Sequence, residues 1–244
     1  MTQAANLASL GAPMIADTSE NVGIGTATPT FKTEIVGGAT TVETTLLQVR
    51  SNAGGLNTGT TIALGNSTNP TAGSGRVELA ALRSTSSGGS FVIRTGNDSG
   101  NITERMRIDS AGRVTTPLQP AFMANRTQGG VGANTRIVFP NIVFNIGSNY
   151  NSSTGLFTAP IDGRYLFITN TFSGNNENPY VAIRVNGVNR VWTLYAGGGG
   201  YGMASPNGIL QLQANDTVEV YVYNNGVYAS GDVADCVFSG YLLG

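Results

Sequence analysis

The chain has 244 residues, of which 34 are glycine and 11% are charged, and its formal net charge is −1. This balance excludes a nucleic-acid partner, because no basic stripe is present to neutralise phosphates. The absence of histidine removes the usual general base, the Ser-His-Asp triad and most zinc sites. The single cysteine, Cys236, precludes an intrachain disulfide and is expected in a buried strand. No run approaches the roughly 20 apolar residues that a membrane span requires, so we expect no membrane insertion.

Residues 1–20 are small and polar, and they lack the basic region and apolar run of a signal peptide. A flexible terminus and a docking segment ordered by a partner protein both remain open. The next segment, NVGIGTATP, contains Gly23 and Gly25, but the third glycine of a dinucleotide fingerprint would fall on Thr28. No helical pattern follows, so a nucleotide site is not predicted.

Residues 21–117 contain short strand candidates separated by loops of Gly, Ser, Thr and Asn. The candidates are Thr33–Val36, Thr44–Val49, Thr60–Leu64, Arg76–Leu82, Ser90–Arg94 and Met106–Asp109. A monomer made of such strands would bury too little apolar area to offset its chain entropy. We therefore predict a β-rich shaft in which three chains wrap around a common axis.

Residues 118–244 have better defined strands and predict an antiparallel, ten-stranded-type jelly roll. The candidates are Ile137–Phe139, Ile142–Asn145, Gly155–Thr158, Arg164–Phe172, Tyr180–Val185, Val188–Leu194, Gly208–Leu212, Thr217–Tyr223 and Val237–Leu243. Asn186-Gly187 is the strongest short hairpin signal. The fold class is thus all-β.

The segment TGLFTAPIDGRYLFI predicts two strands around a turn at Pro160–Gly163. Tyr165 and Phe167 fall on one face of the second strand and Leu166 on the other. Because both faces are largely apolar, we expect a second copy of the chain to cover one of them. The residues assigned to the core and trimer contacts are Phe157, Tyr165, Leu166, Phe167, Phe238 and Leu242.

Three blocks, TGLFTAPIDGRYLF, NGILQLQANDTVEVYVYNNGVYA and FSGYLLG, resemble the globular head of complement component 1q. That family comprises trimeric jelly rolls of the tumour-necrosis-factor superfamily. Its signature positions would fall on Phe157, Gly163, Tyr165, Phe167, Tyr228, Phe238, Gly240 and Leu242. The elements VGIGTATP and ERMRIDSAGRV, residues 22–29 and 104–114, resemble elements of bacteriophage tail fibres that bracket a shaft module.

Together these resemblances imply a homotrimeric, non-enzymatic tail fibre in the virion tail, made in the host cytoplasm. Residues 1–20 would dock on a tail or baseplate protein, and the head would bind a host-surface glycan or protein receptor. Strand parity places the long loops at the end of the head distant from the shaft, where binding sites are common. The receptor candidates are Asn175, Asn176, Glu177, Tyr201, Tyr228 and Asp232. A side groove between protomers is the alternative receptor site.

Three further interpretations remain open. Carboxylates at Asp232 and Asp235, or at Glu177, could bind calcium, although no cofactor is predicted. A bacterial spore-coat or surface filament protein would use the same head without any role in infection. A polysaccharide-degrading spike would need two carboxylates across a cleft, and there is no room here for the large β-helix that such spikes usually carry.

Overall fold

The structure is a computed structural model, and it describes residues 14–16, 22–24, 33–35, 59–65, 76–83, 88–97, 99, 101–174, 178–196, 200–224, 226–229 and 236–244. The regular elements in these residues are all β-strands, and almost all strand pairs are antiparallel. The prediction of an all-β chain is therefore confirmed.

Three short strands near the start of the chain form one sheet. They are β1 (Met14–Ala16), β2 (Val22–Ile24) and β3 (Thr33–Ile35). β1 pairs antiparallel with β2, and β2 pairs parallel with β3. The predicted strand Thr44–Val49 lies outside the described residues. The division at residue 20 stays a prediction, although β1 and β2 pair across it.

A five-stranded antiparallel sheet follows, and its strands are ordered as in the sequence. They are β4 (Gly59–Gly65), β5 (Arg76–Arg83), β6 (Gly89–Gly96), β7 (Ile102–Ile108) and β8 (Val114–Thr115). The four strands predicted over residues 60–109 are all present, and each extends beyond its predicted range at one end or both. The last of them ends at Ile108, one residue before the predicted end at Asp109. We call this unit the N-terminal sheet.

The C-terminal half contains fourteen described strands. They are β9 (Ala121–Asn125), β10 (Gly129–Val131), β11 (Thr135–Ile137), β12 (Asn141–Ile146), β13 (Tyr150–Asn151), β14 (Leu156–Thr158), β15 (Gly163–Ser173), β16 (Tyr180–Val185), β17 (Val188–Leu194), β18 (Gly202–Ala204), β19 (Asn207–Leu212), β20 (Thr217–Asn224), β21 (Val227–Ala229) and β22 (Val237–Leu242).

These strands form two larger sheets and one small pair. The first sheet has the order β13-β14-β20-β16-β17, with β11 also paired to β20. The second has the order β12-β9-β22-β15-β18, with β19 also paired to β15. β10 pairs with β21. The predicted antiparallel jelly roll is confirmed.

Aromatic side chains fill the space between the two large sheets. Phe122 stacks on Tyr150 at 4.7 Å and on Phe157 at 5.2 Å between ring centroids. Phe167 stacks on Phe238 at 5.9 Å. Burial of each such ring contributes about 1.5–3 kcal/mol, so this cluster fixes how the sheets pack. Gly240 lies against the cluster. Glycine is needed at this position because a Cβ would meet the Phe122 and Phe167 rings at 2.6 and 2.8 Å.

The turns follow local chemistry where the sequence is explicit. Asn186 and Gly187 both have positive φ, 50° and 77°, as a two-residue hairpin of type I′ requires. The prediction of a strand over Ile137–Phe139 is wrong by two residues. Pro140 cannot donate to a ladder, and the Tyr150 hydroxyl instead bonds the Phe139 N–H and C=O at 3.2 Å each.

Candidate functional site

The strand β15 separates its side chains between two environments. Tyr165, Phe167 and Thr169 face the first sheet and have no exposed surface. On the opposite face Leu166 is half-buried and Ile168 is 44% exposed. The prediction of two apolar faces is confirmed, but within one chain the second face is open.

The open side of the second sheet is a continuous apolar surface, which we call the outward face. Residues directly opposite each other in antiparallel strands share a face, so the register assembles it. Phe144 lies opposite Met123 on β9, and Leu166 lies between Tyr241 and Ile209. The outward face comprises Met123, Phe144, Leu166, Ile168, Ile209 and Tyr241. A shallow cavity of about 220 Å³ opens in it beside Ser239 and Gly240.

The outward face continues towards one end of the sheet through aromatic contacts. Phe172 lies opposite Met203 in the register of β15 and β18. The Tyr201 ring, 65% exposed, stacks on Phe172 with centroids 5.3 Å apart. The side chain predicted to contact a receptor therefore adjoins the apolar outward face.

The two ends of the head differ in how their connections are held. The Gln119 side chain donates to the Leu242 carbonyl at 2.8 Å, which marks the base where the chain enters. Antiparallel pairing then puts the turns after β14, β16 and β19 at the base and the connections after β15, β17 and β20 at the far end. This split agrees with the parity argument made from the sequence.

Hydrogen bonds tie the base turns to one another. The Ala214 N–H donates to Asp162 at 2.7 Å, and the Asn186 amide donates to Asp216 at 2.7 Å. The Gln213 backbone N–H, and then the Asn186 side chain, lower the pKa of Asp216 below its usual value. These ties make the base a fixed end of the head.

The predicted receptor residues are only partly described. Asn175, Asn176, Glu177 and Asp232 lie outside the described residues, as does Asp235. Tyr228 lies in β21 with its backbone paired to Gly130, and its side chain is outside the description. Their role in binding stays a prediction.

Five of the six predicted core and trimer residues belong to the interior of a single chain. Phe157, Tyr165, Phe167, Phe238 and Leu242 are each at most 4% exposed. The sixth, Leu166, lies on the outward face. Cys236 is buried, as expected from its apolar neighbours.

Sequence analysis did not predict the buried charge on the first sheet. Glu219 is 3% exposed and forms ion pairs with Arg136 and, at 2.7 Å, with Arg184. The Arg184 guanidinium also lies 4.0 Å from the centre of the Tyr221 ring. A glutamate inside the alternating predicted strand Thr217–Tyr223, with Arg184 on another predicted strand, was the signal that could have revealed it.

Metal and membrane features are absent from the part of the chain that the structure describes. No three His, Cys, Asp or Glu side chains there lie close enough to hold a metal ion. No helix in the same residues is long and apolar enough to cross a bilayer. The calcium candidates named from the sequence lie outside this part.

A family model for the C1q domain matches residues 121–243. Mouse complement C1q tumor necrosis factor-related protein 7 is 31% identical over 131 residues, which cover 52% of this chain and 44% of the relative. Mouse complement C1q tumor necrosis factor-related protein 3 is 31% identical over 133 residues, 53% of each chain. The human complement C1q tumor necrosis factor-related protein 2 is 32% identical over 112 residues, 44% of this chain and 38% of the relative. The chain thus spans about half or less of the curated relatives it matches.

Solved structures of similar fold include the globular domain of zebrafish complement 1qA protein. It is 16% identical, with a TM-score of 0.43, and the match covers 52% of this chain and 98% of that one. The Eiger TNF from S. frugiperda is 9% identical with a TM-score of 0.40, covering 52% of this chain and 92% of that one.

The resemblance to the complement-component-1q head is confirmed, but the tail-fibre interpretation is wrong. The curated relatives named above are mammalian C1q tumor necrosis factor-related proteins and not tail fibres. The virion localisation fails for the same reason, and the tail, baseplate and host-receptor partners lose their support. The expectation that the chain has no enzymatic activity agrees with its similarity to these relatives.

The motif ERMRIDSAGRV has a local structural role in the N-terminal sheet. One Asp109 carboxylate oxygen accepts the Ala111 and Arg113 N–H groups at 2.9 and 3.0 Å, and the other accepts the Arg113 side chain at 2.7 Å. Gly112 has the positive φ, 80°, that the turn between β7 and β8 requires. The motif therefore closes the hairpin between β7 and β8.

Proposed function

Because the chain belongs to the family of proteins with a C1q domain, we propose that it acts as a homotrimeric, non-enzymatic recognition head. Proteins of this family form homotrimers. The observation that carries the proposal is the outward face, an apolar sheet surface open to solvent in one chain. Large exposed apolar patches mark interaction sites in soluble proteins.

The outward face is suited to self-association because its exposed side chains are large and uncharged. Phe144, Ile168 and Tyr241 are each 44% exposed. Apolar area removed from water contributes about 25 cal/mol per Å², so covering this face would stabilise an assembly strongly. Arg164, exposed at the base end of β15, supplies a charge at the margin of the face. Three copies in a closed ring would hide the face in every copy.

Sedimentation velocity of the full chain tests the trimer. We expect a species of three times the 25.2 kDa chain mass at micromolar concentration. Leu166→Asp should give a folded monomer. In a single chain the new carboxylate would reach solvent, whereas in the assembly it would be buried without a partner and would destabilise the contact. Thr158→Asp, on the exposed side of the first sheet, is the matched control and should remain trimeric. A folded wild-type monomer would refute the proposal.

Recognition of a partner is assigned to the far end of the head. The connections after β15, β17 and β20 are rich in Asn and Gly, and they lie opposite the tied base turns. Binding residues concentrate on loops that a rigid scaffold positions. The proposed contacts are Asn175, Asn176, Glu177 and Tyr201 in the connections after β15 and β17, with Tyr228 in β21 and Asp232 between β21 and β22. Amide, carboxylate and phenol groups suit a hydroxyl-rich ligand such as a glycan.

The variant Tyr201→Ala separates recognition from assembly. We expect it to stay trimeric in sedimentation and to lose binding on a glycan array that the wild type binds. Loss of the trimer would instead assign Tyr201 to the self-association face, since its ring adjoins Phe172. Unchanged binding to every glycan would remove Tyr201 from the proposed site.

A further inference from the structure

The N-terminal sheet has an exposed apolar face of its own. The strand register aligns apolar side chains in two rows. One row crosses β4 to β7 and contains Ile62, Leu79, Ile93 and Met106, and the other crosses β5 to β8 and contains Ala81, Phe91, Ile108 and Val114. Leu64 lies opposite Val77 beside them. Since opposite residues share a face, all of these side chains point the same way. Five of them, Ile62, Leu64, Val77, Phe91 and Val114, are between 39% and 59% exposed.

The other face of the same sheet is buried along β5 and β6 and carries the ion-paired charges. Ala80, Leu82 and Val92 form a small core on it. Glu78 is 7% exposed there and pairs with Arg76 at 2.9 Å and Arg94 at 3.2 Å. The burial of this side shows that the exposed apolar face is the second side of the sheet and not its core.

Charged side chains reach the apolar face at its margins. In the described strands these are Arg83 at the end of β5 and Arg105 at the bulge in β7, where its Nε donates to Thr95 at 2.7 Å. Glu104 and Arg107 pair with each other on the opposite side, at 2.7 Å. An apolar centre with charges at the rim is the composition of a protein interface.

The chain tethers this face closely to the head. β8 ends at Thr115, and four residues later the Gln119 side chain is bonded to the base of the head. Four residues span at most about 14 Å when fully extended. Three heads joined in a ring would therefore hold three copies of the sheet at an effective concentration on the order of millimolar.

We propose that the apolar face of the N-terminal sheet packs against the same sheet in the other copies, so that assembly extends beyond the C1q domain. This inference rests on the proposed homotrimer, which supplies the tether. The occupant is a second copy of this chain, because its sheet is held within reach and presents the same apolar surface.

Thiol accessibility in the full chain tests this interface. Cys236 is buried, so Phe91→Cys introduces an accessible thiol on the apolar face, and Ser110→Cys introduces one in the exposed turn after β7. We expect Phe91→Cys to react with a maleimide about tenfold more slowly than Ser110→Cys, because buried thiols are inert. Adding Leu166→Asp should abolish that protection as the head dissociates.

Sedimentation of the same samples separates the two proposals. A trimer in which both thiols react at the same rate would overturn the sheet interface and leave the head trimer standing. A wild-type monomer would overturn the head trimer. Protection that persists in monomeric Leu166→Asp protein would show that the chain covers its own face, which also overturns the interface.

Discussion

Phe167 and Ile168 are neighbours on β15 that face opposite sides of the second sheet, and substitution of each measures a different interface. Phe167 is fully buried against Phe157 and Phe238, with ring centroids at 5.4 and 5.9 Å. Phe167→Ala should cost about 3–5 kcal/mol through lost transfer energy and the remaining cavity. At about 2–4 °C per kcal/mol for a chain of this size, the Tm should fall by roughly 6–20 °C.

Ile168→Ala gives a different result in a monomer and in an assembly. In a single chain this side chain is half-exposed, so its loss should cost about 1 kcal/mol or less. Covered by another copy it should cost about 2–5 kcal/mol, and the Tm should then rise with protein concentration. Calorimetry at two concentrations measures both effects. A Tm that is unchanged by Ile168→Ala and independent of concentration would refute self-association through this face.

Two further predictions concern polar groups. Burial raises the pKa of Tyr150 to about 12, so its neutral hydroxyl stabilises the fold fully below pH ~10 and loses that contribution as pH rises towards 12. Tyr150→Phe should cost about 1 kcal/mol at neutral pH and flatten the decline in urea stability over pH 10–12, whereas an unchanged slope would contradict this. Glu219→Gln should cost about 3 kcal/mol in urea unfolding because it leaves Arg184 without its charge partner. Glu104→Gln removes the less buried pair with Arg107 and should cost less than 1 kcal/mol. Equal losses for Glu104→Gln and Glu219→Gln would contradict the burial argument.

The features that sequence analysis predicted well depend on neighbours in the chain. Asn186-Gly187 specifies a hairpin because few other residues adopt positive φ at both positions. The alternation Tyr165, Leu166, Phe167 specified both faces of β15, since side chains on a strand alternate. Both predictions needed no knowledge of the rest of the fold.

The features that sequence analysis missed depend on distant parts of the chain. Glu219 meets Arg136 across 83 positions, and only the register of β11 with β20 brings them together. Tyr201 meets Phe172 only because β18 pairs with the end of β15. The tail-fibre interpretation rested on short motifs, and in one of them Asp109 and Gly112 form a local turn.

Labelling of Cys236 can report local opening of the native protein. Cys236 directly precedes β22, the strand between β9 and β15, and its carbonyl accepts the Arg126 N–H at 2.9 Å. As the sequence has no other thiol, uptake of a thiol reagent by the native protein counts openings around this strand. At low reagent concentration the labelling rate follows the open population, and at saturating reagent it follows the opening rate. The free energy and the rate of native-state opening can therefore both be measured on the wild-type chain.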